Sequence, residues 1–220
     1  GCDWLMRHPE TIDLPYTLTN ASGVHAVQIS EHVLAMLLAF ARRLPEAWRA
    51  QQQRMWQNIP GDTHFELAGK TILVVGMGPI GRRTAQICAA LRMTVIGIRR
   101  AFEQKEEGVS EMVGPGQLLD VLPMADFVIL AVPLTPGTQN MVDAVAIRAM
   151  KSSARTVTVC LDVPRSRHKR TCHYPEAGPG QHVDPFIAGY PAGMVAGPYS
   201  LAVQVHSGSG GGPATGPATH

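Results

Sequence analysis

The tightest constraint on this chain is a junction. Thr71-Ile-Leu-Val-Val75, a nearly unbroken apolar run, passes directly into Gly76-Met-Gly78-Pro79-Ile80-Gly81, and a helical pattern follows from Ile80 to Leu91. An apolar run without alternation suits a strand covered on both faces, as in a parallel sheet. A GxGxxG spacing that leaves such a strand and opens a helix reads as a dinucleotide fingerprint, which the same spacing elsewhere does not. Each glycine has its own reason. Gly76 permits the tight turn, Gly78 leaves its backbone bare for a pyrophosphate, and Gly81 lets the helix pack on the sheet. The N-terminus of the helix adds unpaired N–H groups and a partial positive charge, which attract an anion. The plainer reading, ordinary turn glycines, would make the flanking strand and helix a coincidence.

The surrounding pattern alternates in the same way. Ser30 is expected to cap a helix whose apolar stripe runs through Val33, Leu34, Met36, Leu37, Leu38, Phe40 and Ala41. Pro45 should kink or restart it, leaving a polar continuation from Glu46 to Trp56. Further strands are expected at Thr94–Ile98, Asp126–Val132 and Arg155–Leu161, with helices at Gln117–Leu122 and Thr138–Met150. Strand and helix in turn predict an α/β fold, a doubly wound Rossmann-type parallel sheet. The character changes beyond about residue 155. Residues 155–220 hold 10 of the 22 Gly and 8 of the 17 Pro, five of the nine His, and as acids only Asp162, Glu176 and Asp184. Such a segment buries too little apolar surface to offset its ordering entropy, so 162–220 is expected to be a low-complexity, disordered tail.

Composition excludes several classes. A net charge of +2 from 19 basic and 17 acidic residues gives no general field to attract nucleic acid. The longest apolar run on a helical pattern, Val33–Ala41, has nine residues, and a membrane span needs about 20. No charged-then-apolar leader is visible at the start. Cys2, Cys88, Cys160 and Cys172 lack metal or redox spacing, and the tail histidines lack metal-ligand spacing, so no metal is expected and a reducing cytoplasm fits best. Arg165, Arg167, Lys169 and Arg170 form a short basic run, read as a solvated loop.

The end of the second strand bears on the cofactor. An NAD-binding fold places Asp or Glu about 20 residues past the glycines, where it holds the ribose 2′-OH. Here that region holds Arg99 and Arg100. A guanidinium pairs well with a phosphate, so NADP(H) is expected to be preferred, with NAD(H) second. The alternative is that both arginines are merely solvated.

Several segments together resemble one family. Leu18-Thr-Asn-Ala-Ser-Gly-Val-His25 and Ile29-Ser-Glu-His-Val33 are similar to the segment joining the two domains of D-2-hydroxyacid dehydrogenases. Leu67-Ala-Gly-Lys-Thr71, the glycine loop, Ala125-Asp-Phe-Val-Ile-Leu-Ala-Val-Pro-Leu-Thr-Pro-Gly-Thr-Gln139 and Met150-Lys151 follow in the family's order. The resemblance covers about residues 1–155, and the arginine pair points within it to the glyoxylate/hydroxypyruvate reductase type. It implies hydride transfer between NAD(P)H and a small 2-keto or 2-hydroxy acid. Gly76, Gly78, Pro79, Ile80 and Gly81 would line the pyrophosphate. Arg99 and Arg100 would face the adenosine ribose, and Val132, Pro133 and Thr138 would flank the cofactor on the far side. For Pro133 and Thr138, plain turn chemistry is an equal alternative. The helix from Ser30 would lie in a homodimer interface, or else be buried within one subunit. The implied division is a remnant of the substrate domain and interdomain segment at 1–29, a partial dinucleotide-binding domain at 30–161, and the tail.

The resemblance then stops. The family carries a catalytic arginine in Asn-x-x-Arg-Gly. Counted from Met150-Lys151, those places hold Thr158, Leu161 and Asp162. A leucine cannot grip a carboxylate or polarise a carbonyl. The family's glutamate and its proton-transferring histidine are not recognisable, and Arg165-Ser-Arg-His-Lys169 stands where the glutamate is sought. Catalytic residues are therefore unassigned. The expectations are a chain truncated at both ends, a sheet incomplete in its second half, and a final segment that a frame shift, altered splice or wrong gene model would produce. Two functional readings follow: a dehydrogenase, or a catalytically dead dinucleotide-binding remnant.

Overall fold

The structure is a computed structural model that describes residues 8–11, 13, 15, 17, 19, 21–56, 63–133, 135–158 and 160–162, with three later strand segments, 182–183, 200–202 and 206–207. From residue 155 onward the description is of backbone only.

Two helices come first, α1 (Ala26–Ala41) and α2 (Leu44–Gln52). β1 (Thr71–Val75), α3 (Pro79–Ala90), β2 (Thr94–Ile98) and the short β3 (Glu111–Val113) follow. The one-turn helix α4 (Leu118–Val121), β4 (Phe127–Leu130), α5 (Ala144–Ala149) and β5 (Arg155–Thr158) complete the described α/β unit. The strands lie in the order β3-β2-β1-β4-β5, and every neighbouring pair is parallel. The expected doubly wound α/β sheet is therefore present.

Side-chain alternation explains its two covered faces. Ile72 and Val74 of β1, Val95 of β2, and Phe127 and Ile129 of β4 join one core with Val33 and Leu37 of α1 and Ala85 and Cys88 of α3. Leu73, Val75, Ile96, Ile98 and Val128 point the other way and join Leu118, Val121 and Ala146. Burial on both sides is why these strands read as continuous apolar runs. Within α1, Ile29, Val33, Leu37 and Ala41 are all buried, a spacing of four that lays one stripe along the helix.

Some boundaries differ from the sequence expectation. The first helix does not start at Ser30. It starts at Ala26, and Ser30 is an interior, buried residue whose hydroxyl donates to the Val27 carbonyl oxygen at 2.8 Å. Burial of Ile29 extends the helix backwards past an apparent cap. Pro45 does restart the chain: Arg43 takes a left-handed φ of 54°, and the proline sits in the first turn of α2. The helix expected at Thr138–Met150 shrinks to α5. Residues 136–140 form turns and 141–142 a bend, and Asp143 is the cap, accepting from the Val145 and Ala146 N–H groups at 2.9 Å each. The single strand expected at Arg155–Leu161 is two, β5 and β6 (Cys160–Asp162). Most of the stretch expected to be disordered lies outside the described residues. Within it, β7 (His182–Val183), β8 (Ser200–Ala202) and β9 (His206–Ser207) are strands. β9 pairs antiparallel with β5 and β7 with β9, while β8 pairs with β6.

Candidate dinucleotide-binding site

β1 and β4 are adjacent, and the chain winds outward from them in both directions. In open α/β sheets, ligands bind in the crevice beyond the carboxyl ends of the strands at such a switch point. The glycine loop leaves β1 there. Gly76 has φ +100°, and a Cβ on it would lie 2.6 Å from the Ala131 carbonyl oxygen and 2.8 Å from Val132 Cγ1. No side chain fits in that gap. The loop after β1 and the loop after β4 therefore close on each other, held by Ala131 N–H to Val75 O at 2.8 Å, while Gly76 N–H donates to Ile98 O at the end of β2 at 2.9 Å.

Gly81 is equally constrained. Its Cβ would stand 2.0 Å from the Gly76 carbonyl oxygen. Gly78 is the opposite case, since a Cβ there would meet nothing within 4 Å. Its φ of −76° is available to any residue, so its bareness is not needed by the backbone. Gly78 and Pro79 are exposed at the rim, Ile80 is partly buried, and Gly81 is buried. The first i→i−4 bond of α3 runs from Arg82 N–H to Gly78 O at 2.9 Å, so the Ile80 and Gly81 N–H groups precede the helical ladder and face its open end. Two glycines forced by packing and one left open make a cradle that fits a diphosphate. Gly23, in the segment before α1, lies against it, since a Cβ there would touch Pro79 Cβ at 3.7 Å.

Of the other site residues expected from sequence, Val132 is brought against Gly76. Pro133 is exposed, and its carbonyl accepts from the Thr138 hydroxyl, which also receives the Thr135 N–H at 2.9 Å. That hydroxyl is engaged in folding its own loop. Arg99 follows β2 directly. Its Nε donates to Ala101 O at 2.6 Å, Nη2 to Gln104 O at 2.9 Å, and Nη1 to the Glu106 carboxylate. Arg82, in the first turn of α3, reaches the same carboxylate oxygen through Nε at 3.2 Å. Arg100 is exposed.

Sequence reasoning missed Arg82 and Glu106. Arg82 directly follows the last motif glycine and could have been marked on that ground. Glu106 comes from a loop without periodicity, and nothing in the order of residues places it.

The opposite end of the sheet carries a different arrangement. The Asp126 carboxylate accepts from Thr71 N–H and from Lys151 Nζ, each at 2.8 Å. Partial burial works to raise its pKa. The Lys151 hydrogen bond, the Thr71 N–H and the charges of Lys151 and Lys70 outweigh this and lower it. Burial lowers the pKa of His32 on α1 and pushes the Cys88 thiol up to about 12. Among the described residues no group of His, Cys, Asp and Glu is placed to hold a metal, and no helix is long and apolar enough to cross a membrane.

D-3-phosphoglycerate dehydrogenase of Synechocystis sp. is 30% identical over 156 residues, covering 67% of this chain and 27% of that protein. Glyoxylate reductase of Thermococcus kodakarensis is 33% identical over 149 residues, covering 64% of this chain and 44% of that one. The chain thus spans less than half of either relative. A D-isomer specific 2-hydroxyacid dehydrogenase family protein from Aeromonas salmonicida superposes with a TM-score of 0.60 at 30% identity, over 70% of this chain and 48% of that one. An NADPH-dependent glyoxylate/hydroxypyruvate reductase from Sinorhizobium meliloti, solved with NADP and sulfate, gives 0.58 at 25% identity, over 69% and 46%. Residues 34–160 match the model of the NAD binding domain of D-isomer specific 2-hydroxyacid dehydrogenases. The cofactor class is thus a nicotinamide dinucleotide, and the chain belongs to the D-isomer specific 2-hydroxyacid dehydrogenase family.

Proposed function

We propose that this chain holds a nicotinamide dinucleotide across the β1–β4 crevice as the cofactor-binding part, about residues 30–161, of an oxidoreductase acting on a small 2-keto or 2-hydroxy acid. The observation that carries the reading is the contrast at the loop: Gly76 and Gly81 are forced by contacts under 3 Å, while Gly78 faces open space. A turn built only for folding has no need of that third glycine. When bound, the dinucleotide supplies or accepts the hydride. The chain's own part is to seat the diphosphate on the Ile80 and Gly81 N–H groups and to border the cofactor with Val132, Pro133 and Thr138.

The finer assignments rest on less. NADP(H) is preferred in this reading because Arg99 and Arg100 stand where an acid would hold a 2′-OH. Glyoxylate or hydroxypyruvate are the substrates to try first, given the reductases among the similar proteins. Val24, Val27, Leu38 and Leu44 are large apolar side chains left exposed on and around α1 and α2. They support a homodimer through α1, which light scattering of the purified chain would test. A cytoplasmic setting fits.

A second reading has its own support. Leu161 stands where the family's arginine does, which favours binding without turnover. One experiment separates the two. The full chain is mixed with NADPH and glyoxylate or hydroxypyruvate, and absorbance of the reduced nicotinamide is followed alongside a binding titration. Turnover establishes the dehydrogenase. Saturable binding with no turnover establishes the binding module. Folded chain that binds neither NADPH nor NADH overturns both.

A further inference from the structure

The loop between β2 and β3 places one carboxylate between two guanidinium groups. Arg99 extends the end of β2, and Arg82 lies in the first turn of α3, just past the cradle. They come from different elements and converge on the same oxygen, Glu106 Oε1. The Arg99 and Glu106 side chains are largely buried, at 12% and 19% exposure, whereas Arg82 is half exposed. Arg99 is also fixed by carbonyl oxygens at Ala101 and Gln104, so its orientation does not depend on Glu106. The loop is anchored on α3 by Gly108, whose φ is +77° and whose Cβ would lie 3.1 Å from Ala89 Cβ.

In this fold the end of β2 is where the adenosine ribose is read. A 2′-phosphate arriving there seeks the guanidinium groups that a carboxylate already holds. The two anions cannot share them, because like charges in a partly buried site repel strongly. We propose that Glu106 is an internal competitor for the cofactor's 2′-phosphate, occupying the Arg82–Arg99 pair and released when a phosphate takes its place. The proposal rests on the reading of the crevice as a dinucleotide site. A phosphorylated nucleotide binds only the fraction of molecules in which Glu106 has let go, so its apparent affinity is reduced by that fraction. A nucleotide with a free 2′-OH carries no such burden. Arg99 alone therefore overstates the preference for NADP(H), and Glu106 sets how large that preference is.

The test uses the full chain and two probes that differ only at the 2′ position, 2′,5′-ADP and 5′-ADP, titrated by calorimetry against wild type and Glu106→Gln. Glutamine keeps the shape and removes the charge. The expected result is about tenfold tighter 2′,5′-ADP binding, with 5′-ADP changed by less than about twofold. Equal changes for both probes, no change in either, or weaker 2′,5′-ADP binding would overturn the proposal, the last by showing that Glu106 organises the arginines rather than blocking them. If a thermal melt shows Glu106→Gln to be unfolded, Glu106→Asp is measured instead. Its shorter reach loosens the bridge, and a smaller shift in the same direction is expected, with the same outcomes overturning the idea. A wild-type chain that is folded and binds neither probe defeats the nucleotide-site reading itself, and the competitor with it.

Discussion

Gly81 sits over Gly76 so closely that a single added carbon would stand 2.0 Å from the Gly76 carbonyl oxygen. Backbone meets backbone there, and no flexible side chain can give way. Gly81→Ala is expected to cost about 3 kcal/mol, as an overpacked site that cannot relax. Urea denaturation of the two proteins side by side measures it, and a loss under about 1 kcal/mol would contradict the packing described.

Gly78 should behave in the opposite way. Its φ suits alanine and its Cβ direction is open. Gly78→Ala is expected to leave stability within about 0.5 kcal/mol of wild type while weakening NADPH binding by about tenfold or more, because in the proposed site the methyl group would stand where the pyrophosphate approaches. A melt and a fluorescence titration on one preparation decide both halves.

Asp126 gives the fold an acid-sensitive fastening. Its pKa is held below the ordinary 3.8 in the folded chain. The stability it contributes is thus present above that ordinary value and is lost as pH falls through the folded one. The pair with Lys151 is partly exposed, so the contribution is modest, about 1 kcal/mol or less. Asp126→Asn should lower the melting temperature near pH 7, and the gap to wild type should close at pH values below about 3.8. A gap that persists unchanged into acid would mean that the charge is not what matters.

Cys88 should be inert. It is buried on α3, and desolvation pushes its thiol to about 12, so almost no thiolate forms near neutral pH. Site-resolved mass spectrometry after brief treatment with a thiol reagent at pH 8 should find Cys88 unmodified in the folded chain and modified in urea. Rapid labelling without denaturant would show that α3 opens locally.

The sequence made some of this plain and hid the rest, for physical reasons. β1, β2 and β4 were readable because burial on both faces leaves an apolar run with no alternation. α3 was readable because its start is fixed by the glycines. The three-residue β3 carries too few side chains to show a period. The start of α1 is hidden because Ser30 resembles a cap, while packing of Ile29 into the core carries the helix back to Ala26. Asp143 is a true cap that the sequence masks, because the apparent helical pattern begins earlier, at Thr138. The turn at Gly76 and the close packing at Gly81 are legible residue by residue, since both lie within one short loop. The Arg82–Glu106–Arg99 bridge was not, because it joins a helix, a strand end and a loop that only the folded chain brings together.

The strands of the sheet have two ends, and the chain uses them for different work. Asp126, Thr71 and Lys151 tie the strands together where they begin, and Gly76, Gly78 and Val132 sit where β1 and β4 finish. Replacements of the Asp126 or Lys151 side chain at the starting edge should therefore show themselves as less protein per cell. Replacements at Gly78 should leave the yield intact and weaken retention on the nucleotide. A pooled variant survey scored once for abundance and once for retention on an immobilised nucleotide would sort the molecule into these two halves along the strand axis.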